Sequence, residues 1–134
     1  MDFEEAKFKA LKYIGISKKS KYEVLLKLKR LGIEEEISSK VIKYLSEYKY
    51  IDDLDYVDSY IRQNERMLKY SIYELSQKLK IKGIKSDIIE NKLEVLASSK
   101  YEKTIIKKII STKSKTLDEN KIKQYLYRRG FKNI

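Results

Sequence analysis

The stretch Ser20–Ile33, SKYEVLLKLKRLGI, returns at Ser71–Ile84 as SIYELSQKLKIKGI, identical at eight of fourteen positions when Gly32 is set on Gly83. A third, more divergent copy, DENKIKQYLYRRGF, runs from Asp118 to Phe131 and brings Gly130 into register. The glycines stand 51 and then 47 residues apart. A recurrence of that period makes the repeat, and not the single helix, the unit of the fold. Each copy carries the same physics. Ser20, Ser71 and Asp118 have side-chain oxygens suited to accept from an orphan amide of a first helical turn, and the glycines supply the left-handed residue that ends a helix. Between them Val24/Leu28, Leu75/Leu79 and Ile122/Leu126 fall at i, i+4, which predicts a capped helix of about three turns with one buried face.

The same periodicity extends outward from each copy. Phe3, Ala6, Ala10, Leu11 and Ile14 predict a helix before the first; Tyr56, Val57, Tyr60 and Ile61 before the second; Ile105, Ile106, Ile109 and Ile110 before the third. After the glycine, Ile37, Val41, Ile42 and Leu45 predict a third helix, and Ile88, Leu93 and Leu96 its counterpart. The expected architecture is all-α: tandem three-helix repeats over 1–50, 51–98 and 99–134, forming an elongated, curved body. The third module reaches Phe131–Ile134, where its last helix should begin, and so is expected to be incomplete. Short polar loops are expected at Gly15–Lys19 and Ser111–Leu117.

Composition narrows the chemistry. The chain has 134 residues with no Pro, Cys or His and only four Gly, too few turn-formers for a sandwich or barrel. Without His or Cys it cannot build a zinc finger, a thiol nucleophile, a Ser-His-Asp relay or a disulfide. No apolar run approaches membrane-spanning length, and the opening MDFEEAKFKA is acidic and helical where a signal peptide would be basic and then apolar. A cytoplasmic protein without a membrane contact is expected.

Thirty-one Lys and Arg against twenty Asp and Glu give a net charge of +11. Residues 1–50 carry 12 basic and 8 acidic side chains, residues 51–98 carry 8 and 9, and residues 99–134 carry 11 and 3. The excess sits at one end, which points to a polyanion met by the C-terminal third. In the last copy's helix, with Ile122 and Leu126 turned inward, Lys121, Tyr125 and Arg128 line one flank, and Lys123 with Tyr127 the other. Interleaved cations and rings suit single-stranded nucleic acid, whose phosphates meet the charges and whose bases stack on tyrosine. Lys132 follows the glycine. Arg129 lies toward the core at the helix end, where capping a carbonyl competes with contact. Lys29, Arg30, Lys80 and Lys82 hold the corresponding late positions in the earlier copies, where favourable charge at a helix C-terminus is the competing role.

Two further clusters are assigned to structure. Asp52, Asp53 and Asp55 suggest a divalent cation, but they open a helix, where carboxylates cap amides and meet the positive end of the dipole, so no metal is expected. The basic amphipathic run TIIKKIISTKSK (Thr104–Lys115) resembles a membrane-surface helix, but its Ile doublets take the core place held by Tyr56-Val57 and Tyr60-Ile61 in the preceding module.

The segments ALKYIGISKKSKYEVLLKLKRLGI (Ala10–Ile33), LSEYKYIDDLDYVDSYI (Leu45–Ile61), ELSQKLKIKGI (Glu74–Ile84) and YLYRRGF (Tyr125–Phe131) together resemble the RecX family of recombinase regulators over nearly the whole chain. Most specific is Tyr50-Ile51-Asp52-Asp53 followed by Tyr56 and Tyr60-Ile61, similar to that family's glycine-or-lysine, tyrosine, leucine, aspartate, aspartate signature. The resemblance implies a tandem three-helix protein, not an enzyme and without a cofactor. It also implies that the protein binds the RecA recombinase filament on single-stranded DNA and restrains its ATPase, strand exchange and extension. The chain departs from such proteins in using Lys at several positions where they often have Arg, among them Lys18, Lys19 and Lys82. A monomer is expected. The competing expectations are a helix-turn-helix reader of duplex DNA and a scaffold binding protein only. The helices after the first two glycines (IEEEISSKVIKYL and IKSDIIENKLEVL) are acidic or mixed and poorly suited to duplex phosphates.

Overall fold

The computed structural model describes residues 1–132 and 134; Asn133, in the segment where a further helix was expected to begin, lies outside the described residues. The described residues form eight helices and no strand: α1 (Phe3–Ile16), α2 (Lys21–Arg30), α3 (Glu35–Glu47), α4 (Asp53–Met67), α5 (Ile72–Ile81), α6 (Ser86–Ala97), α7 (Tyr101–Lys113) and α8 (Glu119–Arg128). The architecture is all-α. The three repeated segments are α2, α5 and α8, and each ends at a glycine in the left-handed region, Gly32 at φ 75°, Gly83 at 77° and Gly130 at 85°. Two helices run into stretches expected as loops. α1 passes through Gly15 to Ile16, and α7 continues through Ser111 to Lys113, where the Thr112 hydroxyl donates to the Lys108 carbonyl at 3.0 Å.

Two compact units divide the chain, Met1–Val57 with Lys82–Ile84, and Asp58–Ile81 with Lys85–Ile134. In the first, α1, α2 and α3 pack on one another around Ala6, Ala10, Val24, Leu28, Val41 and Leu45, all wholly buried. These are the positions at helical spacing in the sequence. In the second, α5 packs on α6, α6 on α7 and α7 on α8. Leu75, Leu79, Ile105, Leu126 and Phe131 fill its core.

Candidate nucleic-acid interface

Two of the ten expected contact residues also hold the fold together, because the repeated motif builds a clasp. In the second unit, the Ser71 hydroxyl accepts from the Glu74 amide at 3.1 Å and donates to the Arg129 carbonyl at 2.6 Å. The Glu74 carboxylate accepts from the Ser71 amide at 2.9 Å and meets the Arg129 guanidinium at 2.9 and 3.4 Å, a forked pairing. Arg129 also donates to the Tyr125 hydroxyl at 3.2 Å and to the Lys69 carbonyl. Glu102, from the first turn of α7, completes the cap by accepting from the Ile72 amide at 2.8 Å.

The first unit repeats this arrangement. Ser20 accepts from the Glu23 amide at 3.2 Å and donates to the Lys82 carbonyl at 2.6 Å; Glu23 accepts from the Ser20 amide at 3.0 Å and pairs with Lys82 at 3.2 Å. Asp53 takes the part of Glu102, accepting from the Lys21 amide at 2.9 Å. Every orphan amide so satisfied would otherwise be open at a helix N-terminus. The glycines serve closeness as well as φ. A methyl group at Gly130 would stand 2.7 Å from Tyr73 Cβ, and one at Gly83 would overlap Tyr22 Cβ and Cγ, whereas at Gly32 it would meet nothing within 4 Å.

Arg129 and Lys82 are therefore held by carboxylates of the motif. The sequence leaves contact in competition with carbonyl capping for Arg129 and with helix-end charge for Lys82; it does not reveal their carboxylate partners, which lie 55 and 59 residues away. Burial by itself would raise the Glu74 carboxyl, but the hydrogen bonds from Arg129 and Ser71 outweigh it and hold the group below the ordinary carboxylate range. Burial likewise would lower the Arg129 guanidinium, and Glu74 and Tyr125 hold it up. The acidic trio also has structural work. Asp52 accepts from the Leu54 and Asp55 amides at 3.1 and 3.3 Å, Asp53 caps α2, and Asp55 pairs with Lys18 at 2.6 Å.

The other expected residues remain at the surface. Lys121, Arg128 and Lys132 are exposed, as are Lys29, Arg30 and Lys80. Lys123 is exposed but leans on Glu119 at 3.7 Å, one turn back. Tyr125 is half-buried, and its ring carries the Lys113 ammonium at 4.3 Å and the Arg129 guanidinium at 5.7 Å. The helix wheel had set this ring between Lys121 and Arg128. Lys113 lies where the sequence offers both the end of the basic helical run and a loop; it sits on the last turn of α7 with its ammonium over Tyr125.

No protein-family model matches the sequence. The regulatory protein RecX of Prosthecochloris aestuarii is 31% identical over 132 residues, covering 97% of this chain and 87% of that protein. The chain belongs to the RecX family of regulatory proteins. RecX of Streptococcus mutans is 32% identical over 133 residues, 96% of this chain and 52% of its own length, so the chain spans about half of that longer relative. The crystal structure of RecX from Lactobacillus salivarius superposes with a TM-score of 0.84 at 29% identity, covering 98% of this chain and 90% of that one. A second RecX crystal structure gives 0.80 at 25% identity, covering 96% and 66%. The all-helical fold is thus a RecX fold, and the named relatives are regulatory proteins. Among the described residues no helix is long and apolar enough to cross a membrane.

Proposed function

We propose that this chain is a non-enzymatic regulator that binds the RecA nucleoprotein filament and lowers its ATPase and strand-exchange activity. Membership of the RecX family carries the reading. Three modules, 1–50, 51–98 and 99–134, would offer repeated contacts to repeated protomers, and holding neighbours together would oppose the rearrangements that ATP turnover requires. The charge of residues 99–134 supports single-stranded DNA as the second partner, with Lys121, Arg128 and Lys132 as its exposed cations. Lys123 and Tyr125 adjoin them, and Lys29, Arg30 and Lys80 are exposed at the corresponding helix ends. Arg129 and Lys82 act through the clasp and not by direct contact. The protein works as a monomer, in the cytoplasm.

The test is DNA-dependent ATP hydrolysis and strand exchange by the cognate recombinase, with the protein added at stoichiometric ratio. Both rates should fall; unchanged rates would overturn the reading. Affinity for free single strands should fall with salt at a log–log slope of about −0.7 per phosphate contacted. Filament binding should be less salt-sensitive, since protein–protein burial contributes to it. Equal slopes would mean that the chain merely coats DNA.

A further inference from the structure

The second unit holds a cleft of about 200 Å³ between the α4–α5 turn and α7, walled by Leu68, Ile105 and Ile109 and rimmed by Lys69, Lys108 and Lys113. We infer that this cleft binds a backbone phosphate of single-stranded nucleic acid, with flanking bases on Tyr70 and Tyr125. The inference rests on the nucleic-acid part of the function proposed above and moves its centre from α8 to α7.

Charge is the first argument. Among the described residues the cleft lining contains no acidic side chain, and none of the three lysines makes an ion pair. Favourable charge at the α7 C-terminus accounts for Lys113 but not for Lys108 a turn earlier or Lys69 on another segment. Arg129 also lines the cleft, its charge already met by Glu74; the three lysines are like charges with no acidic neighbour in the lining, they repel one another, and the apolar walls concentrate their field on whatever occupies the cleft. An anion relieves that repulsion.

Aromatic placement is the second. Two of the three lysines lie over rings, Lys69 at 5.3 Å from the Tyr70 centroid and Lys113 at 4.3 Å from that of Tyr125. Lys78 shares the Tyr70 ring at 4.3 Å. Both rings are half-buried and keep exposed surface. Alternating cations and rings form the surface that single strands use.

Backbone conformation is the third. Leu68 lies in the left-handed region at φ 52°, uncommon for a residue with a branched side chain. Arg129, fixed by Glu74, donates to the next carbonyl, that of Lys69. The clasp thus holds the turn that presents Lys69 to the cleft, and strain retained at such a turn accords with a binding role.

The experiment measures binding of fluorescent oligo-dT by anisotropy across a salt series. It uses the wild-type chain, the triple variant Lys69→Gln/Lys108→Gln/Lys113→Gln, the triple Lys→Arg variant, and Lys121→Gln/Arg128→Gln on α8. Far-UV circular dichroism and thermal melts verify the fold of each. The triple Gln variant should bind more weakly, with a slope shallower by about 2, the loss of about three phosphate contacts at 0.7 each. The Arg variant should retain both. A larger loss from the α8 variant than from the cleft variant would overturn the cleft while leaving nucleic-acid binding intact; no binding by the wild type would overturn both. Competition distinguishes the source of the phosphate: oligo-dT should compete far better than dTMP or inorganic phosphate at equal ionic strength. Equal competition by dTMP would assign the cleft to a free nucleotide and overturn the strand.

Discussion

Gly32 and Gly83 have nearly the same backbone, φ 75° and 77°, and unlike surroundings, so their alanine variants separate two contributions to stability. At Gly32 an added methyl group meets nothing within 4 Å, leaving only the cost of a left-handed alanine, about 1–2 kcal/mol. At Gly83 the same methyl overlaps Tyr22 Cβ and Cγ and stands 2.8 Å from Cδ2. Tyr22 Cβ belongs to helix α2 and cannot swing aside as a ring can. Overpacking of this kind adds about 1–3 kcal/mol, for a total of about 2–5 kcal/mol. Unfolding entropy near 2.1 cal/mol/K per residue makes each kcal/mol worth about 3.5 °C in a chain of this length. Gly32→Ala should therefore lower Tm by about 4–7 °C and Gly83→Ala by about 7–18 °C, read by circular dichroism at 222 nm and checked by urea titration. Tyr22→Ala should not rescue Gly83→Ala, because the overlapping Cβ remains. Equal shifts for the two glycine variants would refute the claim that close approach, and not φ alone, requires Gly83.

Three other outcomes follow from the clasp and its neighbours. Ser20→Ala and Ser71→Ala should each cost about 1–2 kcal/mol in urea unfolding, since each hydroxyl both caps a helix and satisfies a distant carbonyl. Asp118→Ala, which loses a local cap only, should fall at or below the lower figure. Glu74→Gln should cost about 1 kcal/mol at neutral pH. Because Arg129 and Ser71 hold the Glu74 carboxyl below its ordinary value of 4.5, its contribution is full above that value and disappears as pH falls through the lowered one. Variant and wild type should therefore converge in acid; a constant gap would refute the pairing. In alkali, Tyr101, which donates to the Tyr70 carbonyl, should titrate near pH 12, pushed up by burial and then by Glu102. Its contribution to stability is present below pH 10 and lost as pH rises toward 12. Absorbance at 295 nm should show a step near pH 12 that Tyr101→Phe removes.

The helices were legible because their signals are local. Ser20 and Val24/Leu28 announce the start and the buried face of α2 within nine residues, and Gly32 marks its end. The clasp was not legible, although its letters were. Ser, Tyr-Glu and Gly are among the identical positions of the first two copies, but local reading gives Ser20 one hydrogen bond, to its own helix. The second goes to a carbonyl 62 residues on, which no periodicity reveals. The ends of the array show the same logic in reverse. The first copy has Leu31 where the others have Lys82 and Arg129, and its glycine has open space beside it. The last copy has Asn120 and Lys121 where the others have Tyr-Glu. Of the proposed contact surface, the exposure of Lys121 and Arg128 was legible from the α8 wheel. The gathering of Lys69, Lys108 and Lys113 was not, since it depends on how α7 packs beside a turn some forty residues earlier.

A hydrogen-bond partner supplied from far downstream also sets an order of events during synthesis. The hydroxyl of Ser20 finds its second partner only once Lys82 has been made, and Ser71 only once Arg129 has, separations of 62 and 58 residues. At about 5–20 residues per second a ribosome takes about 3–12 s to cover either interval. Throughout that time the α2 segment, and later α5, has its local cap available but not its lock. Each segment is thus finished by its successor, and the chain becomes fully secured from its beginning toward its end as translation proceeds.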